Sequence, residues 1–175
     1  CDGSVVDARF QKADKNTGFA ILKVPVSDIS AETKEKIITA PLGNSYGLNQ
    51  GEPVIAIGSP MGYSDSIAYG VVTSTTNSVS KVDAEYGILT TDIVGSGDGS
   101  GILVNLKGEV VGVIAQSFAK ADTKNIITGL SISQTKDLIE NLSNNKDIVY
   151  MGVTGQTITS EISEKKGIPK GVFVE

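Results

Sequence analysis

The sequence predicts a mainly β protein, an antiparallel sheet closed as a barrel or a sandwich. Three observations carry that expectation. Short apolar runs recur along the chain, with Gly, Pro, Asn and Ser between them. Glycine is abundant at 20 residues while aromatics make up only 5% and Trp is absent, which suits many short strands joined by turns. Residues 110–114 are almost wholly apolar, as a central strand covered on both faces should be.

The elements follow in order. Residues 4–10 and 19–24 read as strands, and Asp14-Lys15-Asn16-Thr17-Gly18 between them is turn chemistry. Residues 29–38 are polar and mixed, with one helical turn, and Pro41 to Ser45 is a loop. Further strands are expected near 53–57, 67–73, 87–91, 101–106, 109–115 and 125–132. One helix follows. Ser133 can cap it, Leu138, Ile139 and Leu142 fall three and four apart on one face, and Asn144-Asn145 ends it. The composition then changes. Residues 148–154 read as a strand, 160–166 as a short helix and 171–174 as another strand. This tail is too short to be a domain of its own. A boundary is therefore expected near residue 146, with 1–146 as one domain and 147–175 as the beginning of a second.

Charge and composition narrow the function. The formal net charge is -5 and no basic cluster exists. Phosphate binding needs a Lys/Arg stripe, so nucleic acid is not an expected partner. An anionic membrane surface fits equally poorly. The sole cysteine, Cys1, permits no internal disulfide, and with no histidine in the chain neither a metal nor any other cofactor is expected. Cys1 has two readings, the lipid-bearing first residue of a mature bacterial lipoprotein or an arbitrary start, and the domain-like residues after it favour the second. No apolar run approaches the ~20 residues a membrane helix needs.

Three blocks resemble the HtrA (Deg) branch of the trypsin-like serine proteases. The first is Asp2-Gly3-Ser4-Val5-Val6-Asp7-Ala8 followed by Ala20-Ile21-Leu22-Lys23-Val24. The second is Gly51-Glu52-Pro53-Val54-Ile55-Ala56-Ile57-Gly58-Ser59-Pro60-Met61-Gly62, with Gly70-Val71-Val72-Thr73-Ser74 after it. The third is Thr91-Asp92, a glycine-rich loop, Leu103-Val104-Asn105, and then Gly108-Glu109-Val110-Val111-Gly112-Val113. Their order and spacing hold over residues 1 to about 145. The tail resembles the opening of a PDZ domain. Tyr150-Met151-Gly152-Val153 is similar to its carboxylate-holding loop, and Gly167-Ile168-Pro169-Lys170-Gly171-Val172-Phe173-Val174 to its next strand.

The resemblance implies a trypsin fold holding all of the second barrel and part of the first. It implies a bacterial, extracytoplasmic protein, a homo-oligomer for the full-length parent, and room for a membrane anchor in an upstream segment. It also implies a Ser-His-Asp site, and here the residues depart from it. A nucleophile needs a base, and the base an orienting carboxylate. The family's histidine lies upstream of these blocks, and its aspartate position is occupied by Gly18. Counting forward from Thr91-Asp92 puts the nucleophile at Ser100; counting backward from Leu103-Val104-Asn105 puts it at Gly99. The loop of Gly97, Asp98 and Gly99, where the oxyanion amides belong, is thus one residue short. Asp92 reads as structural, and Asp83 and Glu85 as solvated carboxylates. Small residues at Gly129 and Ser131 leave space for a specificity pocket. With Tyr150, Met151, Gly152 and Val153 they are the expected peptide contacts. Three functions follow: an inactive trypsin-fold protein that binds extended peptide or unfolded segments, an active endopeptidase using Ser100 with His and acid from elsewhere, or a PDZ-based scaffold.

Overall fold

The structure is a computed structural model describing residues 3–174. Cys1, on which the lipid reading falls, lies outside the described residues, as do Asp2 and Glu175. The mainly β architecture agrees with the expectation. Strands β1 (Arg9–Ala13) and β2 (Ala20–Lys23) form an antiparallel hairpin. Helix α1 (Ala31–Lys36) follows, capped by the Ser30 hydroxyl, which accepts from the Thr33 N–H. Six strands then close a barrel: β3 (Pro53–Ser59), β4 (Ser66–Lys81), β5 (Ala84–Val94), β6 (Ser100–Val104), β7 (Val110–Ile114) and β8 (Ile126–Ser131). Their order around the barrel is β3-β4-β5-β8-β7-β6, and β6 returns to pair with β3. Helix α2 (Ile132–Ser143) lies outside it. The tail holds β9 (Gly155–Ile158), α3 (Ser160–Lys166) and β10 (Gly171–Val174), with β9 and β10 antiparallel.

Side-chain alternation explains the closure. Val54, Ala56, Val72, Leu89, Ile93, Leu103, Val111 and Ile127 are buried together inside the barrel. The continuous apolar run of β7 has two coverings. Val111 and Ile114 belong to the interior, while Val110 and Val113 pack outward with Ile132 and Ile139 of α2. The interior is tight at two glycines. A Cβ on Gly112 would lie 3.1 Å from both Leu130 O and Leu89 Cδ1, and one on Gly129 would lie 2.9 Å from Leu103 Cδ1 and 3.2 Å from Val113 O.

Four local readings need correction. The hairpin of β4 and β5 is much longer than the two short strands expected at 67–73 and 87–91. Its outer arm, Ser74 to Lys81, is rich in Ser, Thr and Asn and reads as a loop, yet it pairs with residues 84–90 with one register shift, between Ser74 and Asn77. Residues 4–8 are not strand; pairing with β2 begins at Arg9. Residues 148–154 are not strand either, because their polar groups bond side chains of other hairpins. The fourth concerns α2, which begins at Ile132 rather than after Ser133. Its cap comes from elsewhere in the chain. Ser133 N–H donates to Ser45 Oγ at 3.0 Å, and Ser45 N–H donates to Ser133 Oγ at 2.8 Å.

Candidate functional site

The loop between β5 and β6 is built on backbone contacts. Gly95 N–H donates to Asn125 O at 2.8 Å and Ser96 N–H to Pro60 O at 2.9 Å. Asp98 N–H donates to Ser96 Oγ at 3.2 Å, and Gly99 N–H to Ser96 O at 2.9 Å. Two of the amides expected to stabilise an oxyanion therefore point back into their own loop. Gly99 is buried, and a Cβ there would lie 2.7 Å from Pro60 O and 2.9 Å from Ser96 O. The position reached by counting backward thus has no room for a serine side chain. Ser100 is exposed at the start of β6, opposite Ser59 of β3. One residue on, Gly101 (φ 130) faces Gly58 (φ 131). A Cβ on Gly101 would come within 2.1 Å of Ile57 O, so this crossing requires glycine.

Gln116 pins the same loop from below. It is 6% exposed. Its Nε2 lies 3.1 Å from Ser96 O, 3.0 Å from Lys124 O and 3.1 Å from Ile126 O, so two N–H groups are shared among three carbonyls. Its Oε1 accepts from Thr128 N–H at 2.8 Å. Nothing in its sequence neighbourhood singled it out; a buried Gln is legible only once its partners are in place. Thr91 and Asp92 are structural, as expected. Thr91 Oγ1 donates to Ile127 O at 2.8 Å, and Asp92 Oδ1 accepts from Val71 N–H at 2.7 Å.

Gly18 sits in the left-handed region at φ 76, closing the turn in which its N–H donates to Asp14 O at 3.0 Å. Asp14, four residues earlier, is 3% exposed and already occupied. Its Oδ2 accepts from Thr17 N–H at 2.8 Å and Thr17 Oγ1 at 2.7 Å, and its Oδ1 accepts from the Tyr150 hydroxyl. Burial works against the charged form, but the Tyr150 and Thr17 hydrogen bonds outweigh it and hold the Asp14 carboxyl below the usual carboxylate range. Burial, with the Asp14 hydrogen bond and charge, pushes the Tyr150 hydroxyl up.

Residues 151–153 meet a second carboxylate. Asp83, at the tip of the β4–β5 hairpin, accepts from Gly152 N–H at 2.7 Å and Val153 N–H at 2.9 Å. The Gly152 amide leads in holding the Asp83 carboxyl below its ordinary range; desolvation opposes it, and the Val153 and Met151 amides add to the lowering. The sequence alone gave no sign of this contact. Gly129 and Ser131 are both buried in β8. Space at Gly129 is taken by Leu103, and the Ser131 hydroxyl lies 2.5 Å from that of Ser45.

Residues 1–113 match the family profile described as trypsin-like peptidase domain. The chain belongs to the trypsin-like peptidase family, in its HtrA branch. A probable periplasmic serine endoprotease DegP-like from Pseudomonas savastanoi pv. phaseolicola is 31% identical over 97% of this chain and 34% of its own length. The putative serine protease HhoB of Synechocystis is 29% identical over 94% of this chain and 38% of its own. The chain thus spans about a third of the length of these curated relatives. A solved structure titled HtrA-type protease AlgW with decapeptide aligns over 99% of this chain and 53% of that one, with a TM-score of 0.69 and 20% identity, which bears on the fold. In this trypsin-like frame the six-stranded closure is the second barrel, and the β1–β2 hairpin is part of the first.

The Asp14–Tyr150 pair yields a pH prediction. A carboxyl depressed in the fold contributes stability that is fully present above its unfolded value, near 3.8, and lost as pH falls through its lowered folded value. The tail should therefore detach from the β1–β2 turn in acid before the barrel unfolds. Tyr150→Phe should lower stability by about 1.5–3 kcal/mol at pH 7 and flatten this acid limb. Urea titrations of both proteins between pH 7 and pH 2 would check it; an unchanged acid limb in Tyr150→Phe would be the contrary result.

Proposed function

We propose that this chain is an HtrA-type trypsin-fold domain without serine-protease turnover, which holds extended peptide or unfolded protein segments outside the bacterial cytoplasm. The observation that carries the reading is Gly18. The family's acid position is a glycine in a left-handed turn, and the neighbouring carboxylate, Asp14, is committed to Thr17 and Tyr150. This departure is internal to the domain. The inward-turned amides of Asp98 and Gly99 support it, because an oxyanion hole needs two N–H groups aimed at one outward point. The extracytoplasmic address is carried over from relatives named periplasmic.

Peptide binding is assigned first to Tyr150, Met151, Gly152 and Val153, read as the opening of a PDZ domain that begins near residue 147. Successive amides that converge on one carboxylate form an anion nest, the device by which such loops hold a peptide C-terminus. Gly129 and Ser131, expected from the sequence to contact the peptide, are not part of this reading: β8 is paired with β5 on one side and β7 on the other, so it has no free backbone edge, and neither residue offers an open side-chain pocket.

An exposed Ser100 hydroxyl keeps the endopeptidase reading in play. The expected result is that full-length protein cleaves an unfolded substrate no faster than its Ser100→Ala variant. Loss of one essential triad member costs roughly a millionfold in kcat in the subtilisin example. Robust cleavage abolished by Ser100→Ala would establish the protease instead.

A further inference from the structure

The tail loop that this reading assigns to a peptide carboxylate already holds one. Asp83 uses both oxygens: Oδ2 accepts from Gly152 N–H and Oδ1 from Val153 N–H, at 2.7 and 2.9 Å. The backbone joins in, with Asp83 N–H donating to Val153 O at 2.7 Å. A carboxylate bridging successive amides, next to an N–H···O=C bond from the same residue, is how a peptide terminus would lie on this loop. The tip is shaped for the task. Asp83 takes φ 56 in the tight turn between β4 and β5, a region that Asp and Asn tolerate better than most residues. Gly152, at φ 85, lets the receiving loop fold back. Beside the contact is a cleft of about 270 Å³, walled by Lys81, Asp83, Ala84 and Glu85 of the hairpin on one side and by Met151, Val153, Val172 and Val174 of the tail on the other. When the tip lifts away, the apolar tail wall is uncovered for a side chain next to a bound carboxylate.

We propose that Asp83 is a built-in competitor for the 151–153 loop, so that a free peptide C-terminus binds only by displacing the hairpin tip. The ligand class is a peptide with a free α-carboxylate and an apolar last residue. The inference rests on the peptide-binding reading and adds its regulation. Affinity for the external carboxylate is reduced by the fraction of molecules in which the tip is docked. The competitor is covalently attached, so its local concentration is high and does not change with dilution.

Asp83→Asn is the discriminating variant. Asn keeps the left-handed turn, but its amide offers one acceptor oxygen where the carboxylate offers two. In ¹⁵N-labelled full-length protein without peptide, the Gly152 and Val153 amides should be protected from exchange in the wild type and lose that protection in Asp83→Asn. A peptide with a free carboxylate should bind Asp83→Asn about tenfold more tightly than wild type, and its C-terminal amide should show no such gain. Asp83→Gly, which also accepts the turn, should behave as Asp83→Asn does and covers failure of the first variant to fold. Equal or weaker peptide affinity in both variants, or unprotected Gly152 and Val153 amides in the wild type, overturns the competitor. Absence of peptide binding to the variants as well as the wild type overturns the peptide-binding reading beneath it and the competition with it.

Discussion

Gly101→Ala is expected to destabilise the barrel by about 2–6 kcal/mol, from a backbone forced off its favoured region and from overpacking, each costing about 1–3 kcal/mol. The added methyl would sit 2.1 Å from Ile57 O and 3.2 Å from the Cα of Gly58, both backbone atoms that no rotamer change can move aside. At φ 130 the residue is also in a region that side chains rarely adopt. The damage falls on the seam between β3 and β6, which closes the barrel. Urea denaturation should show a lowered midpoint with little change in slope. Gly108→Ala is a fair comparison, because Gly108 has φ 79 but open space around it. It should carry the backbone penalty alone. Equal losses in the two variants would mean that the close approach at Gly101 contributes nothing.

Gln116→Ala should cost about 3 kcal/mol, since it strands a buried donor, at about 1–3 kcal/mol, and removes donors from three carbonyls at about 0.5–1.5 kcal/mol each where water cannot replace them. The stranded donor is Thr128 N–H. Its hydrogen exchange should accelerate more than that of any other β8 amide. Gln116→Glu makes a sharper test. It would set a carboxylate oxygen against the carbonyls of Ser96, Lys124 and Ile126. With only Thr128 N–H donating to it and carbonyls facing its other oxygen, the buried carboxyl has its proton affinity raised in the fold. Its stability should therefore rise as pH falls from 7 toward 5, the reverse of the Asp14 effect. A Gln116→Glu protein as stable as wild type at pH 7 would count against this role.

The barrel was legible because burial leaves a pattern. Gly, Pro, Asn and Ser interrupt the apolar runs of β3, β6, β7 and β8, and the nearly unbroken apolar β7 marks a strand covered on two sides. The polar arm of β4 was not legible. Thr76, Asn77, Ser78 and Ser80 are exposed along it, and there pairing rather than burial sets the conformation. The proposal that Gly18 stands at the family's acid position comes from register alone, whereas the left-handed φ of Gly18 is seen only in the fold. The choice between Ser100 and Gly99 was open by counting and is narrowed by space, since only Ser100 has room for a side chain. The contacts made by Asp83 and Tyr150 escaped notice for one shared reason. Each joins partners far apart in the chain: Asp83 and Gly152 are 69 residues apart, and Asp14 and Tyr150 are 136 apart. No local window contains both halves of such a contact.

The borrowed cap of α2 bears on how the chain assembles. A helix of 12 residues is marginal in water by itself, and here its first turn obtains its hydroxyl from Ser45, 88 residues upstream. That serine is not free to arrive early. Its loop is held by Gly43 N–H donating to Val110 O at 2.8 Å and Val110 N–H donating to Pro41 O at 2.8 Å. The 41–45 segment thus reaches its place only when β7 offers those groups. The entropy of closing so long a loop must be met before the cap forms. Nucleation in α2 is accordingly disfavoured, although it is the most helix-like stretch in the sequence. During refolding, amides in the first turn of α2 should gain protection together with those of β7, later than amides of the local β4–β5 hairpin.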